Sequence, residues 1–148
     1  MKTKLLIPIL ASLLLIGCAP GSSLIKFNEN QAAKTGIKGT ASTLGYFIGA
    51  NNIDLIPEWN KWADRLLAFE QGDSVSSFQD LLISGADYVT DSEFLKLKFT
   101  EFVSLFEFPK LQPATNPFLT GPYLEMVKLV LKGFQEGLMA AQAEEVDE

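Results

Sequence analysis

Cys18 is the residue whose surroundings point most directly to chemistry. It is the only cysteine in a chain of 148 residues, it ends the apolar run LLLIGC, and Gly17 precedes it. A thiolate is a strong nucleophile, and it forms a stable thioether where a serine would not. Other reactive constellations are sparse. The chain contains no histidine, which excludes most nucleophile–base dyads and triads. It also removes the commonest zinc and iron ligand. Carboxylates alone can do acid–base work. Asp87 and Asp91, however, straddle an expected helix boundary, and Asp54 and Glu58 suit the positive end of a helix macrodipole. Asp91-Ser92-Glu93 lacks the alternating oxygens, central glycine and final glutamate of a calcium loop. No catalytic role, metal or cofactor is expected.

The leader gives Cys18 a context. Lys2 and Lys4 precede an apolar stretch from Leu5 to Ile16, and Gly17 supplies a small residue before the cysteine. A basic start, an apolar middle and a small residue at the cut make a secretory signal peptide. The stretch is shorter than the roughly 20 apolar residues that a membrane span needs. Leu15-Ile16-Gly17-Cys18 resembles the lipobox of bacterial lipoproteins. That resemblance implies diacylglycerol on the Cys18 thiol, cleavage between Gly17 and Cys18, and a membrane partner reached through acyl chains. Each buried methylene contributes about 0.8 kcal/mol to such an anchor. It further implies an extracytoplasmic location. Ala19, which is not the aspartate of inner-membrane retention, favours the periplasmic face of the outer membrane in a Gram-negative host.

Removal of residues 1–17 leaves 131 residues, enough for one domain. The formal charge moves from −6 to −8, because two of the 12 basic residues leave and all 18 acidic ones stay. A surface of that sign repels nucleic acid and anionic lipid headgroups, and nucleic acid is rejected as a partner. With Cys18 lipidated no thiol remains for a disulfide, so stability must come from apolar burial.

Periodicity predicts an all-α fold, a compact bundle of about five helices over 28–142. It follows a lipidated tether at 18–27 and precedes a solvated acidic tail at 143–148. The first helix, 28–50, carries Ala33, Ile37, Ala41, Leu44 and Ile48 at helical spacing. Beside them run Ala32, Gly36, Gly39 and Thr43, with Gly45 and Gly49 following. So many interior glycines, each costing about 1 kcal/mol relative to alanine, predict a closely packed neighbour. Pro57 opens a second helix, 57–71, that stops at Gly72. A third helix starts at Asp73 or Ser74 and turns Val75, Phe78, Leu81, Leu82 and Ala86 inward. Thr90-Asp91-Ser92-Glu93 reads as a capping box for a fourth, 91–107, with Phe94, Leu95, Phe99, Phe102, Val103 and Phe106 on its inner side. A segment with four prolines, 108–122, leads to a last helix, 122–142, that buries Tyr123, Val127, Val130, Leu131, Phe134 and Leu138.

Two aromatic groups are candidates for ligand or partner contact. Trp59 and Trp62 share one helix face, as core or as the lining of an apolar pocket. Phe108, Phe118 and Tyr123 belong to the proline-rich segment, where large apolar side chains either plug the bundle or form a contact patch. The expectation is a lipid-anchored accessory module of envelope assembly, exclusion or lysis type, binding an envelope protein. The alternative is a carrier or sensor that holds an apolar ligand in an aromatic-lined pocket.

Overall fold

The computed structural model describes residues 31–89, 91–106 and 116–146, excluding the side chains of 145 and 146. Among these residues it is all-α, with five α-helices and no strand: α1 Gln31–Ala50, α2 Ile56–Leu67, α3 Val75–Ser84, α4 Glu93–Ser104 and α5 Gly121–Val146. Short 3-10 turns at Ile53–Leu55 and Gly85–Tyr88 lead into α2 and out of α3. The leader, Cys18, the tether, Thr90, Phe108 and the last two acidic residues lie outside the described residues. No helix among the described residues is long and apolar enough to cross a membrane.

In α1, Ile37, Ala41, Leu44 and Ile48 are buried as one stripe, and Ala33 packs against the edge of the core. Three threonines fit into this helix because each hydroxyl donates to the carbonyl four residues back: Thr35 to Gln31, Thr40 to Gly36 and Thr43 to Gly39. The expected close approach occurs, but not where the small-residue stripe begins. Gly36 and Gly39 face open space, whereas a side chain on Gly45 would collide with the Phe134 carbonyl of α5. The partners are glycines too: a side chain on Gly133 would strike the Lys38 backbone, and one on Gly137 the Ser42 backbone. Two GxxxG segments, 45–49 and 133–137, thus let two helix backbones meet. The contacts advance together, Lys38 beside Gly133, Ser42 beside Gly137 and Gly49 beside Ala141, so α1 and α5 run parallel.

Helix boundaries shift from the expected ones for identifiable reasons. Pro57 sits in the first turn of α2, as its missing N–H permits. The helix ends at Leu67, earlier than residue 71, because the Asp73 carboxylate accepts from the Glu70 N–H at 2.8 Å and closes a turn. Gly72 follows at φ +94°, within that turn rather than at a helix cap. Ser74 caps α3. The change to a 3-10 turn at Gly85 breaks the helical period, and Ala86 is exposed rather than inward. Ser92 caps α4 by accepting from the Leu95 N–H, and Glu93 pairs with Lys96 at 2.7 Å; Thr90, the first residue of the expected box, lies outside the described residues. The last helix continues to Val146, so residues 143–146 are helical and only the end of the acidic tail lies beyond. The segment AAQAEE contains no breaker, and alanine and glutamate favour helix.

The core is an aromatic cluster at the crossing of α2, α4 and α5. Trp59, Trp62, Phe99, Phe102 and Phe134 are all buried there, and Phe102 and Phe134 lie 4.5 Å apart. Residues 117–119 are fastened to the α2–α3 turn by three backbone hydrogen bonds. Val75 donates to Pro117, Leu119 to Asp73 and Gly72 to Leu119, at 2.8–3.0 Å.

Candidate interaction surface

The structure separates the candidate residues. Trp59 and Trp62 are together and inside, 0 % and 2 % exposed. Trp59 meets Trp62 at 5.4 Å, Tyr88 at 5.1 Å and Phe134 at 5.8 Å between ring centroids. The Trp62 indole donates to the Leu81 carbonyl at 2.8 Å, whereas the buried Trp59 Nε1 has no hydrogen-bond partner. Tyr123 is also buried, edge-on to Phe78 at 6.0 Å. Phe118 is at the surface, 56 % exposed, with its backbone held by the bonds to the α2–α3 turn. Gly17, Cys18 and Phe108 lie outside the described residues.

A second exposed apolar group escaped the sequence reading. Phe94 was expected to face inward, but it is 43 % exposed, and Leu97 is 56 % exposed. The inner stripe of α4 is Leu95, Phe99 and Phe102. Phe94 lies one position off that stripe and turns its ring edge-on to Phe47 of α1, 6.2 Å away. Lys98 Nζ stands 5.8 Å from the Phe47 ring and 5.7 Å from the Phe94 ring, and the same ammonium bonds Glu101 at 2.9 Å. The result is a surface patch of two rings and a leucine, edged by a held charge. A signal for it was present in KLK, residues 96–98, where a leucine between two lysines falls on a wet face.

Charge is divided between the two ends of the bundle. One end holds the starts of α1 and α5, the α2–α3 turn and Phe118. Lys34, Lys128 and Lys132 belong to this end, with Glu70, Asp73 and Glu125; nearer the middle Lys38 is paired with Glu136 at 2.7 Å, and Arg65 follows Asp64, whose carboxylate accepts from Gln135. At the other end the Asn52 side chain donates to the Tyr88 carbonyl, and Asp87, Asp91 and Ser92 line an open depression with Asn51 and Leu55. Asp54, Glu93 and Glu144 lie on the same side, and Lys96 and Lys98 there are engaged by Glu93 and Glu101. Tyr46 Oη donates to Glu144 Oε2 at 2.6 Å. This hydrogen bond, assisted by partial desolvation and the carboxylate charge, raises the Tyr46 pKa above its ordinary 10.0. Among the described residues, no three histidine, cysteine or acidic side chains are grouped to hold a metal ion.

No protein-family model matches this chain, and neither the curated proteins nor the solved structures contain a significant match.

Proposed function

We propose that this protein is a lipid-anchored component of a bacterial cell envelope whose helical domain is a protein–protein interaction module. The sequence Leu15-Ile16-Gly17-Cys18 behind a basic, apolar leader supports the anchor. The observation that carries the interaction reading is the patch of Phe47, Phe94 and Leu97 on α1 and α4. The exposed Phe94 ring and Leu97, beside the half-buried Phe47, cost hydration free energy in an isolated domain and recover it when a partner covers them. The module acts on the extracytoplasmic side, at the periplasmic face of the outer membrane where the host is Gram-negative.

Mass spectrometry of the membrane-purified protein tests the anchor: acyl mass on a chain beginning at Cys18 is expected, and an intact leader with a bare thiol would remove it. A photo-crosslinking residue at Leu97, compared with one at exposed Gln142, tests the module in cells. A discrete adduct from position 97, lost on Phe94→Asp, is expected; identical patterns from both positions would end the reading. The carrier alternative draws no support from the indoles, which are packed against rings. It would return if dispersed phospholipid shifted their emission, which is expected to stay unchanged.

A further inference from the structure

We propose that the end of the bundle bearing Phe118 and the starts of α1 and α5 rests on anionic phospholipid headgroups, an orientation that depends on Cys18 being the anchor. Three observations carry it. The first is where the chain enters. Twelve residues separate Cys18 from Gln31, thirteen steps that reach at most about 45 Å at roughly 3.5 Å each. They join the domain at the start of α1, so the anchor is attached at this end.

The second is charge asymmetry. Lys34 and Lys38 are the only charged residues of α1, and both lie in its first half. Along α5, Lys128 and Lys132 precede Glu136 and Glu144. Because the two helices are parallel, these gradients add rather than cancel. Lys34, Lys128 and Lys132 form no ion pair with another described residue, so their charge is available to phosphate. Glu70, Asp73 and Glu125 balance these three lysines and Glu136 holds Lys38 at 2.7 Å, so this end is close to neutral, whereas the opposite end is decidedly acidic and is repelled by a negative surface. A domain of net charge −8 can therefore still be turned by such a membrane. The third is Phe118, an exposed ring on a backbone segment held by hydrogen bonds, with a depression beside it lined by Gln71, Asn116 and Pro122. An aromatic ring near lysines is the side-chain pair that bilayer interfaces favour. In this orientation the Phe47, Phe94 and Leu97 patch projects away from the membrane.

The test uses the full protein, processed in cells and reconstituted into vesicles of phosphatidylethanolamine with phosphatidylglycerol, or of phosphatidylcholine alone. An acylated Cys18 leaves one reactive thiol in each of Pro117→Cys and Leu97→Cys, and a nitroxide there reports accessibility to oxygen and to a water-soluble relaxant. The expected result is a lipid-shielded label at position 117 in the anionic vesicles, weaker shielding in phosphatidylcholine, and a label at 97 that remains in water. Lys128→Glu with Lys132→Glu should abolish the difference between the two lipids. A water-exposed label at 117 on a protein with acylated Cys18 would overturn the orientation alone. Broadening of that label by the label of another copy would assign this end to self-association and overturn it as well. A bare Cys18 in the mass spectrum would remove both the anchor and the orientation.

Discussion

The Tyr46–Glu144 bond is the clearest titration handle in the domain. The bonded carboxylate holds the phenolic proton, so the folded-state pKa lies above the unfolded one. Stability from this pair is full below about pH 10 and is lost as pH rises through the raised value. Ultraviolet titration should show Tyr46 ionising above its ordinary 10.0, and Glu144→Gln should bring it back toward that value. Unchanged titration in E144Q would show that the bond is absent in solution. The two tryptophans allow a second comparison. Both indoles are buried among rings, but only Trp62 donates a hydrogen bond. Trp62→Phe should therefore cost about 1 kcal/mol more in urea unfolding than Trp59→Phe, the usual net value of one hydrogen bond. Equal costs would mean that the Trp59 N–H has a partner after all.

The contrast among glycines belongs to the scale of elements. Gly39 faces open space in α1, so Gly39→Ala should stabilise the protein by up to about 1 kcal/mol through helix propensity. Gly137→Ala brings a methyl onto the Ser42 carbonyl and should destabilise it by roughly 1–3 kcal/mol despite the same propensity gain. Thermal melts of the two variants should move in opposite directions. That difference was only half legible in the sequence. The glycines of α1 announced a close neighbour, but glycine content says nothing about which face meets it, and the matching pair in α5 lay inside an ordinary amphipathic pattern. The apolar stripes of all five helices could be read because their period is strong. Boundaries moved where a local hydrogen bond outweighed periodicity, as at Asp73 and Ser92. Phe94 was misplaced because a phenylalanine beside an apolar stripe fits the flank and the interior equally well. The backbone alone decides between them.

At the scale of the whole molecule, the domain offers two unlike ends and one exposed apolar flank. Phe94→Asp combined with Leu97→Asp should leave far-ultraviolet circular dichroism nearly unchanged and lower the melting temperature only slightly, since Leu97 is largely exposed and Phe94 gives up only its edge contacts with Phe47 and Lys98. A large loss of helix would show that these residues belong to the core. The pairing of the first helix with the last also governs how the chain reaches its native state. Seventy residues separate Ala50 from Gly121, and the glycine-lined interface forms only when both ends of that interval are present. Closing so long a loop precedes any return from the contact, and non-local contacts slow folding. A chain emerging N-terminus first holds α1 without its partner until the 26 residues of α5 arrive. The α1–α5 interface is therefore among the last contacts to form, because it waits for the helix farthest along the chain.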